Sequence, residues 1–189
     1  MYVVIKMKVI SGKYKGRILK GFDINGTRPT MDRVKESVFA MIQEYVKDSI
    51  VLDLYSGSGN LAIEAISNGA KKAYLVDNNK VAIDTINENI KVLGIDNAFL
   101  IKGDATNVLN TFISENKVFD IIFLDPPYQT SELDKTLTII NNNLDILNNN
   151  SIIVCETQLD IDYEKYNNLT IYKTRKYGQK NVNILKVNK

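Results

Sequence analysis

From residue 50 onward, short continuous apolar runs alternate with segments whose apolar positions recur every three or four residues. The runs at 50–54, 73–76, 98–101, 119–124 and 152–155 read as strands. The segments at 60–67, 80–92, about 107–114 and 133–144 read as helices, the first ending near Gly69 and the second stopped by Gly94. Strands that are apolar throughout, instead of alternating, are expected where helices cover both faces of a sheet. The pattern predicts a doubly wound α/β sheet with right-handed crossovers.

Both ends depart from this alternation. At the start, Lys8-Val9-Ile10 and Arg17-Ile18-Leu19 flank the glycine-bearing Ser11-Gly12-Lys13-Tyr14-Lys15-Gly16, which predicts a β-hairpin. A helix follows Arg28-Pro29-Thr30, with Thr30 as N-cap and Val34, Val38, Met41, Ile42 and Tyr45 on its buried face. At the far end, residues 169–172 and 182–185 lie either side of Tyr177-Gly178 and predict a second hairpin, one strand of which runs antiparallel to the rest. The expected organisation is one domain, 1–189, with a hairpin extension over 1–29 and a helix plus Rossmann-like core over 30–189, about seven strands in its sheet. Asn141-Asn142-Asn143 reads as a helix end and Asn148-Asn149-Asn150 as a loop.

The net charge of +2 conceals a strong asymmetry. Residues 1–35 carry nine basic side chains against Asp23 and Asp32, and residues 172–189 carry six with no acid, so the stretch between holds a surplus of eleven negative charges. Basic ends on an acidic body suggest a polyanionic partner. There is no histidine and one cysteine, Cys155, within an apolar strand. Histidine bases, Ser-His and Cys-His triads, disulfides and thiolate metal clusters are therefore excluded, and no metal is expected. No apolar run approaches a membrane span and the start lacks a signal-peptide pattern, so a cytoplasmic location is expected. Oligomeric state stays open, with a monomer as the default.

Two strings carry the chemistry. Asp53-Leu54-Tyr55-Ser56-Gly57-Ser58-Gly59 follows the first core strand. Gly57 and Gly59 permit a tight turn and close backbone approach, and the next helix offers unpaired N–H groups to a carboxylate. Asp53 is placed to hold an amino group, which favours S-adenosylmethionine. The same loop, Gly57-Ser58-Gly59-Asn60-Leu61-Ala62, also matches the dinucleotide fingerprint. Asp77, with Asn78 beside it, ends the second strand and suits ribose hydroxyls. Asp104, followed by Ala105, ends the third and suits an adenine amino group. Either acid also fits a helix N-cap. The second string, Asp125-Pro126-Pro127-Tyr128, follows the fourth strand. Its prolines remove N–H donors and leave carbonyl acceptors. An acid beside carbonyls suits an NH₂ group and stabilises positive charge developing on its nitrogen. Tyr128 offers a stacking face.

These motifs resemble the amino-methyltransferases that carry an Asp/Asn-Pro-Pro-Tyr/Phe turn. Over nearly the whole chain the sequence resembles the bacterial 16S ribosomal RNA guanine-N2 methyltransferases named for guanine 966. The resemblance rests on residues 9–17, on Arg28-Pro29-Thr30 with Asp32-Arg33-Val34-Lys35-Glu36, on residues 52–59, and on Phe119-Asp120 with residues 123–128. Met31 departs where a second threonine is common, and Tyr55-Ser56 replaces the commoner Phe-Ala. The resemblance implies S-adenosylmethionine as cofactor, the N2 amino group of a guanine in 16S ribosomal RNA as acceptor, and RNA phosphates against Lys13, Lys15, Arg17, Arg28 and Arg33. Three other readings remain: an adenine-N6 methyltransferase on DNA or RNA, an NAD-dependent oxidoreductase, and a nucleic-acid-binding protein without activity.

Overall fold

A computed structural model describes residues 3–23, 31–127, 131–158 and 161–188. The chain opens with an antiparallel hairpin of β1 (Val3–Lys8) and β2 (Ile18–Asp23), then α1 (Met31–Val46). The core follows as β3 (Ile50–Asp53), α2 (Asn60–Ser67), β4 (Lys72–Asp77), α3 (Lys80–Leu93), β5 (Ala98–Lys102), α4 (Ala105–Ser114), β6 (Phe119–Leu124) and α5 (Glu132–Asn142). A 3-10 turn (Leu144–Ile146) leads into β7 (Leu147–Thr157), and β8 (Leu169–Tyr177) and β9 (Lys180–Val187) complete the chain. The main sheet has seven strands in the order β5-β4-β3-β6-β7-β9-β8. β9 is the strand that runs antiparallel to its neighbours.

Helices cover both faces, as the uninterrupted apolar strands require. On one face Val51, Ile121, Phe123, Ile152, Val154, Val182 and Ile184 pack under α1, α2 and α3. On the other, Leu52, Val76, Ile122, Ile153 and Leu185 pack under α4 and α5. Adjacent residues of one strand thus enter separate cores, the period-2 consequence of a sheet covered twice. Among the described residues no helix is long and apolar enough to cross a membrane. Cys155 is buried and unpaired, and its thiol pKa is pushed up by that burial.

The N-terminal hairpin strands, Val3–Lys8 and Ile18–Asp23, are displaced from the expected 8–10 and 17–19, because the loop between them spans residues 9–17. Three further differences have a local cause. α4 starts at Ala105, two residues early, because the Asp104 carboxylate accepts the Asn107 N–H at 3.0 Å and caps the helix. α5 stops at Asn142, where the Asn143 side chain donates to the Ile139 carbonyl and ends the turn. Asn148-Asn149-Asn150, expected as a loop, belongs to β7. It bulges opposite Asp120, between the Phe119–Leu147 and Ile121–Ile152 pairs. Asn148 donates to Asp120 Oδ1, and Oδ2 of the same carboxylate accepts the Ile50 N–H, so the bulge also anchors the start of β3.

The N-terminal hairpin is bound into the core. Its loop turns at Gly12, whose φ of +78° is left-handed, and a Cβ there would overlap the Ser67 carbonyl. That contact lets the Lys13 N–H reach the Ser67 carbonyl at 2.7 Å and satisfy the exposed end of α2. Glu64, within the apolar α2, accepts the Ile10 and Ser11 N–H groups and pairs with Lys35 Nζ at 2.8 Å; both ionic side chains are almost wholly buried. Lys35 also donates to the Lys8 carbonyl and to Asn60 Oδ1. On β2, the Lys20 N–H and carbonyl pair with the Asn89 amide of α3, which in turn donates to the Ser58 carbonyl in the glycine loop. Hairpin, α1, α3 and loop are thereby one polar network.

Candidate active site

The carboxyl ends of the parallel strands lie along one edge of the sheet, and five of them end in an acid. In spatial order these are Asp104 after β5, Asp77 at the end of β4, Asp53 at the end of β3, Asp125 after β6 and Glu156 near the end of β7. β9 runs the opposite way, so its first residue, Lys180, lies at the same edge and closes the row with a positive charge. A cleft opens over its centre, bounded by Asp53, Asp125, Glu156 and Lys180 below and by Val34, Lys35 and Val38 of α1 above.

The glycine loop forms one wall. Gly59, at φ 80°, starts α2 without a side-chain cap, leaving the helix N-terminus to other acceptors. At Gly57, φ +53°, a Cβ would meet nothing within 4 Å, so this backbone faces open space. Ser56 fixes the loop to the sheet: its hydroxyl donates to the Asp53 carbonyl and accepts the Val76 N–H at 3.0 Å. Asp77 accepts the Gly57 N–H at 2.8 Å and the Asn79 N–H at 2.8 Å, one per oxygen. A carboxylate has about four acceptor sites, so both oxygens retain capacity for hydroxyl donors. Asn78 beside it is exposed. Asp104 caps α4 and accepts the Thr106 hydroxyl as well, and these hydrogen bonds lower its pKa. Ala105 is buried behind it. Tyr55 is half-buried, and its hydroxyl reaches the Glu132 carbonyl at 3.4 Å.

Asp53 carries the sharpest signal. It is 1% exposed, and Oδ1 has no partner among the described residues. Burial raises its carboxyl to about 7 and the nearby Asp77 adds to this, while hydrogen bonds from Tyr55, Ala62 and Ser56 oppose it. A buried acceptor with no donor is costly unless a ligand supplies one. S-adenosylmethionine fits this cradle: its ammonium group would meet Asp53, its carboxylate the α2 N-terminus, and its ribose Asp77. Asp125 stands on the neighbouring strand. Burial pushes its carboxyl well above the ordinary range, Glu156 and Asp53 add to the shift, and Lys180 opposes it. Pro126 behind it is buried and Pro127 is exposed. Tyr128 lies outside the described residues, as does Arg28.

The expected cofactor and catalytic positions thus gather at one edge, but the expected RNA contacts divide. Lys13, Lys15 and Arg17 are exposed on a loop docked at the C-terminal end of α2, the end away from the glycine loop. An eight-residue helix spans about 12 Å, so the loop's docking point lies about that far from the glycine loop. Arg33 is exposed beside Val34 and Lys35, which line the cleft. Lys35, part of the basic N-terminal surplus, is buried and unavailable to a polyanion. Sequence reasoning passed over Lys35, Glu64, Glu156 and Lys180. Lys35 could have been singled out, since it falls three residues before Val38 and seven before Ile42 on the buried stripe.

Residues 7–186 match a family model described as conserved hypothetical protein 95. The Bacillus subtilis protein YlbH is 38% identical over 182 residues, covering 95% of this chain and 98% of that protein. The Buchnera aphidicola protein named ribosomal RNA small subunit methyltransferase D, from the Acyrthosiphon pisum symbiont, is 36% identical over 90% of this chain and 87% of its own. Among solved structures, the Escherichia coli protein yhhF superposes with a TM-score of 0.82 at 25% identity, covering 96% of this chain and 98% of that one.

Proposed function

The chain belongs to the conserved hypothetical protein 95 family, and from that premise we propose that it transfers a methyl group from S-adenosylmethionine to the N2 amino group of a guanine in small-subunit ribosomal RNA. The observation that carries the reading is the adjacency of Asp53 and Asp125 on neighbouring strands, one with an oxygen that has no partner among the described residues and both facing one cleft. S-adenosylmethionine supplies, when bound, a methyl group already activated on a sulfonium. The protein's contribution is therefore positioning and electrostatics. Asp104, Asp77 and Asp53 hold the cofactor side of the row. Asp125 and the carbonyls of Pro126 and Pro127 accept hydrogen bonds from the base amino group and hold its lone pair toward the cofactor. As the nitrogen gains a methyl group it must lose a proton, and the raised carboxyl of Asp125 suits it to accept that proton.

Small-subunit RNA as substrate is supported by the name of the Buchnera relative and by the exposed cations of the N-terminal hairpin. A target base in folded RNA must be splayed out, at a cost of about a few kcal/mol. Phosphate contacts at Arg33 near the cleft, and at Lys13, Lys15 and Arg17 on the loop docked at the far end of α2, would offset that cost. Stacking on Tyr128 belongs to the same reading. The test is Asp125→Ala, assayed with methyl-labelled cofactor on small-subunit RNA. The expected result is loss of transfer with S-adenosylhomocysteine binding within about twofold of the parent. Retained turnover removes the role assigned to Asp125.

A further inference from the structure

The basic end of the strand-end row is not used by the cofactor roles proposed above. Register places Asp125 opposite Glu156, because Leu124 pairs with Cys155 in the parallel β6–β7 ladder. In the antiparallel β7–β9 ladder Glu156 pairs with Val182, two residues from Lys180. Side chains alternate along a strand, so Phe123, Asp125, Val154, Glu156, Val182 and Lys180 share one face, the face beneath α1. Glu156 and Lys180 form an ion pair at the cleft wall, with side chains 15% and 18% exposed, so they are enclosed yet reachable. The side chains also lengthen from Asp to Glu to Lys as the strands recede from Asp53.

We propose that Glu156 and Lys180 read the edge of the target base and select guanine. The proposal rests on the function argued above and deepens it. The Watson–Crick edge of guanine presents, in order, the N2 amino donor, the N1–H donor and the O6 acceptor. The cleft presents an acceptor at Asp125, an acceptor at Glu156 and a donor at Lys180, in the same order. A carboxylate has about four acceptor sites and an ammonium three donors, so the ion pair between them does not by itself exhaust either group. Adenine, with its N6 amino group at Asp125, would turn the N1 lone pair toward the Glu156 carboxylate. Cytosine would do the same with N3. Two acceptors would then face each other in a partly dry site, the arrangement by which polar sites reject near-isosteric ligands most strongly. The cleft geometry thus separates guanine from adenine, a distinction that the Asp-Pro-Pro-Tyr turn alone leaves open.

The test uses short small-subunit RNA fragments carrying guanine or 2-aminopurine at the methylated position. 2-Aminopurine keeps the reactive amino group but lacks N1–H and O6. The parent should favour guanine in kcat/KM by about 100-fold or more. Glu156→Gln, whose amide can donate to the N1 lone pair, should reduce that ratio at least about tenfold, with 2-aminopurine turnover rising. Lys180→Met should slow guanine more than 2-aminopurine and so lower the same ratio, because only guanine presents O6 to the ammonium. S-adenosylhomocysteine binding reports that each variant is folded, and the Lys180 variant decides the matter if the Glu156 variant is not. Guanine methylation with a ratio unmoved by a folded variant overturns this assignment and leaves the proposed function standing. Failure of the parent to methylate any base amino group overturns both.

Discussion

The proposed role of Asp53 predicts a cofactor affinity that depends on pH near neutrality. Its carboxyl titrates at about 7, against 3.8 for an ordinary aspartate, chiefly because it is buried. An ammonium group recognises the carboxylate and not the acid, so binding must draw Asp53 into its ionised form. With a pKa of 7, about three-quarters of the protein is ionised at pH 7.5 and about a tenth at pH 6.0, which weakens binding about eightfold, or about 1.2 kcal/mol. Titration calorimetry with S-adenosylhomocysteine at the two pH values measures this directly. Buffers of different ionisation enthalpy should reveal about half a proton released per ligand at pH 7. Stability follows the opposite trend. Because the folded-state pKa is raised, Asp53 binds its proton more tightly in the folded protein, and that contribution is lost as pH rises from about 4 through about 7. At pH 8 the buried charge costs up to about 4 kcal/mol in the ligand-free protein. Asp53→Asn should therefore raise the denaturation midpoint of the free protein at pH 8, abolish the pH dependence of ligand affinity, and weaken binding by about 10- to 100-fold. An affinity constant across pH 6.0–7.5 in the parent, or unchanged in Asp53→Asn, refutes the reasoning.

Other consequences concern the hairpin and its anchor. Gly12→Ala places a Cβ against the Ser67 carbonyl in a left-handed turn, and should cost about 2 kcal/mol or more in urea unfolding. Lys35→Met leaves Glu64 charged and buried, and should cost about 3–5 kcal/mol, nearer the lower figure because Ile10 and Ser11 still donate to it. Both losses appear as a lower denaturation midpoint at constant slope. Replacing Lys13, Lys15 and Arg17 together by Gln should reduce the slope of log affinity for RNA against log salt by about two, with unfolding unchanged. An unchanged slope frees that loop from phosphate contact.

The core was legible because each strand and helix announces itself over a few neighbouring residues. The apolar runs at Ile121–Phe123 and Ile152–Val154 lie in the predicted strands, and α2 spans the predicted residues. Asp53 and Asp125 were also legible, since each closes an apolar strand just before a turn, a glycine loop starting at Gly57 for one and the proline pair for the other. What escaped sequence reasoning depends on strand order. Lys180 looks like one cation in a basic tail until β9 is known to run antiparallel beside β7, which brings its first residue to the edge where the other strands end. Glu156 gains its meaning only from that neighbour. The Lys35–Glu64 pair likewise joins helices whose packing no local pattern specifies. The docking of the basic loop at the far end of α2 follows from Gly12 and Ser67, residues that carry no charge. Asn148-Asn149-Asn150 misled because asparagine signals turns, and here it fills a bulge braced by Asp120.

The central claim is that the row of strand-end acids joins a methyl donor at Asp53 to a guanine amino group at Asp125. Its most direct test is to incubate the purified protein with methyl-labelled S-adenosylmethionine and separate ribosomal subunits from cells lacking it, then map the labelled nucleotide by mass spectrometry. The account predicts label on N2 of a single guanine in small-subunit RNA. Label on adenine N6, label confined to the large subunit, or no transfer in the presence of bound cofactor would contradict it.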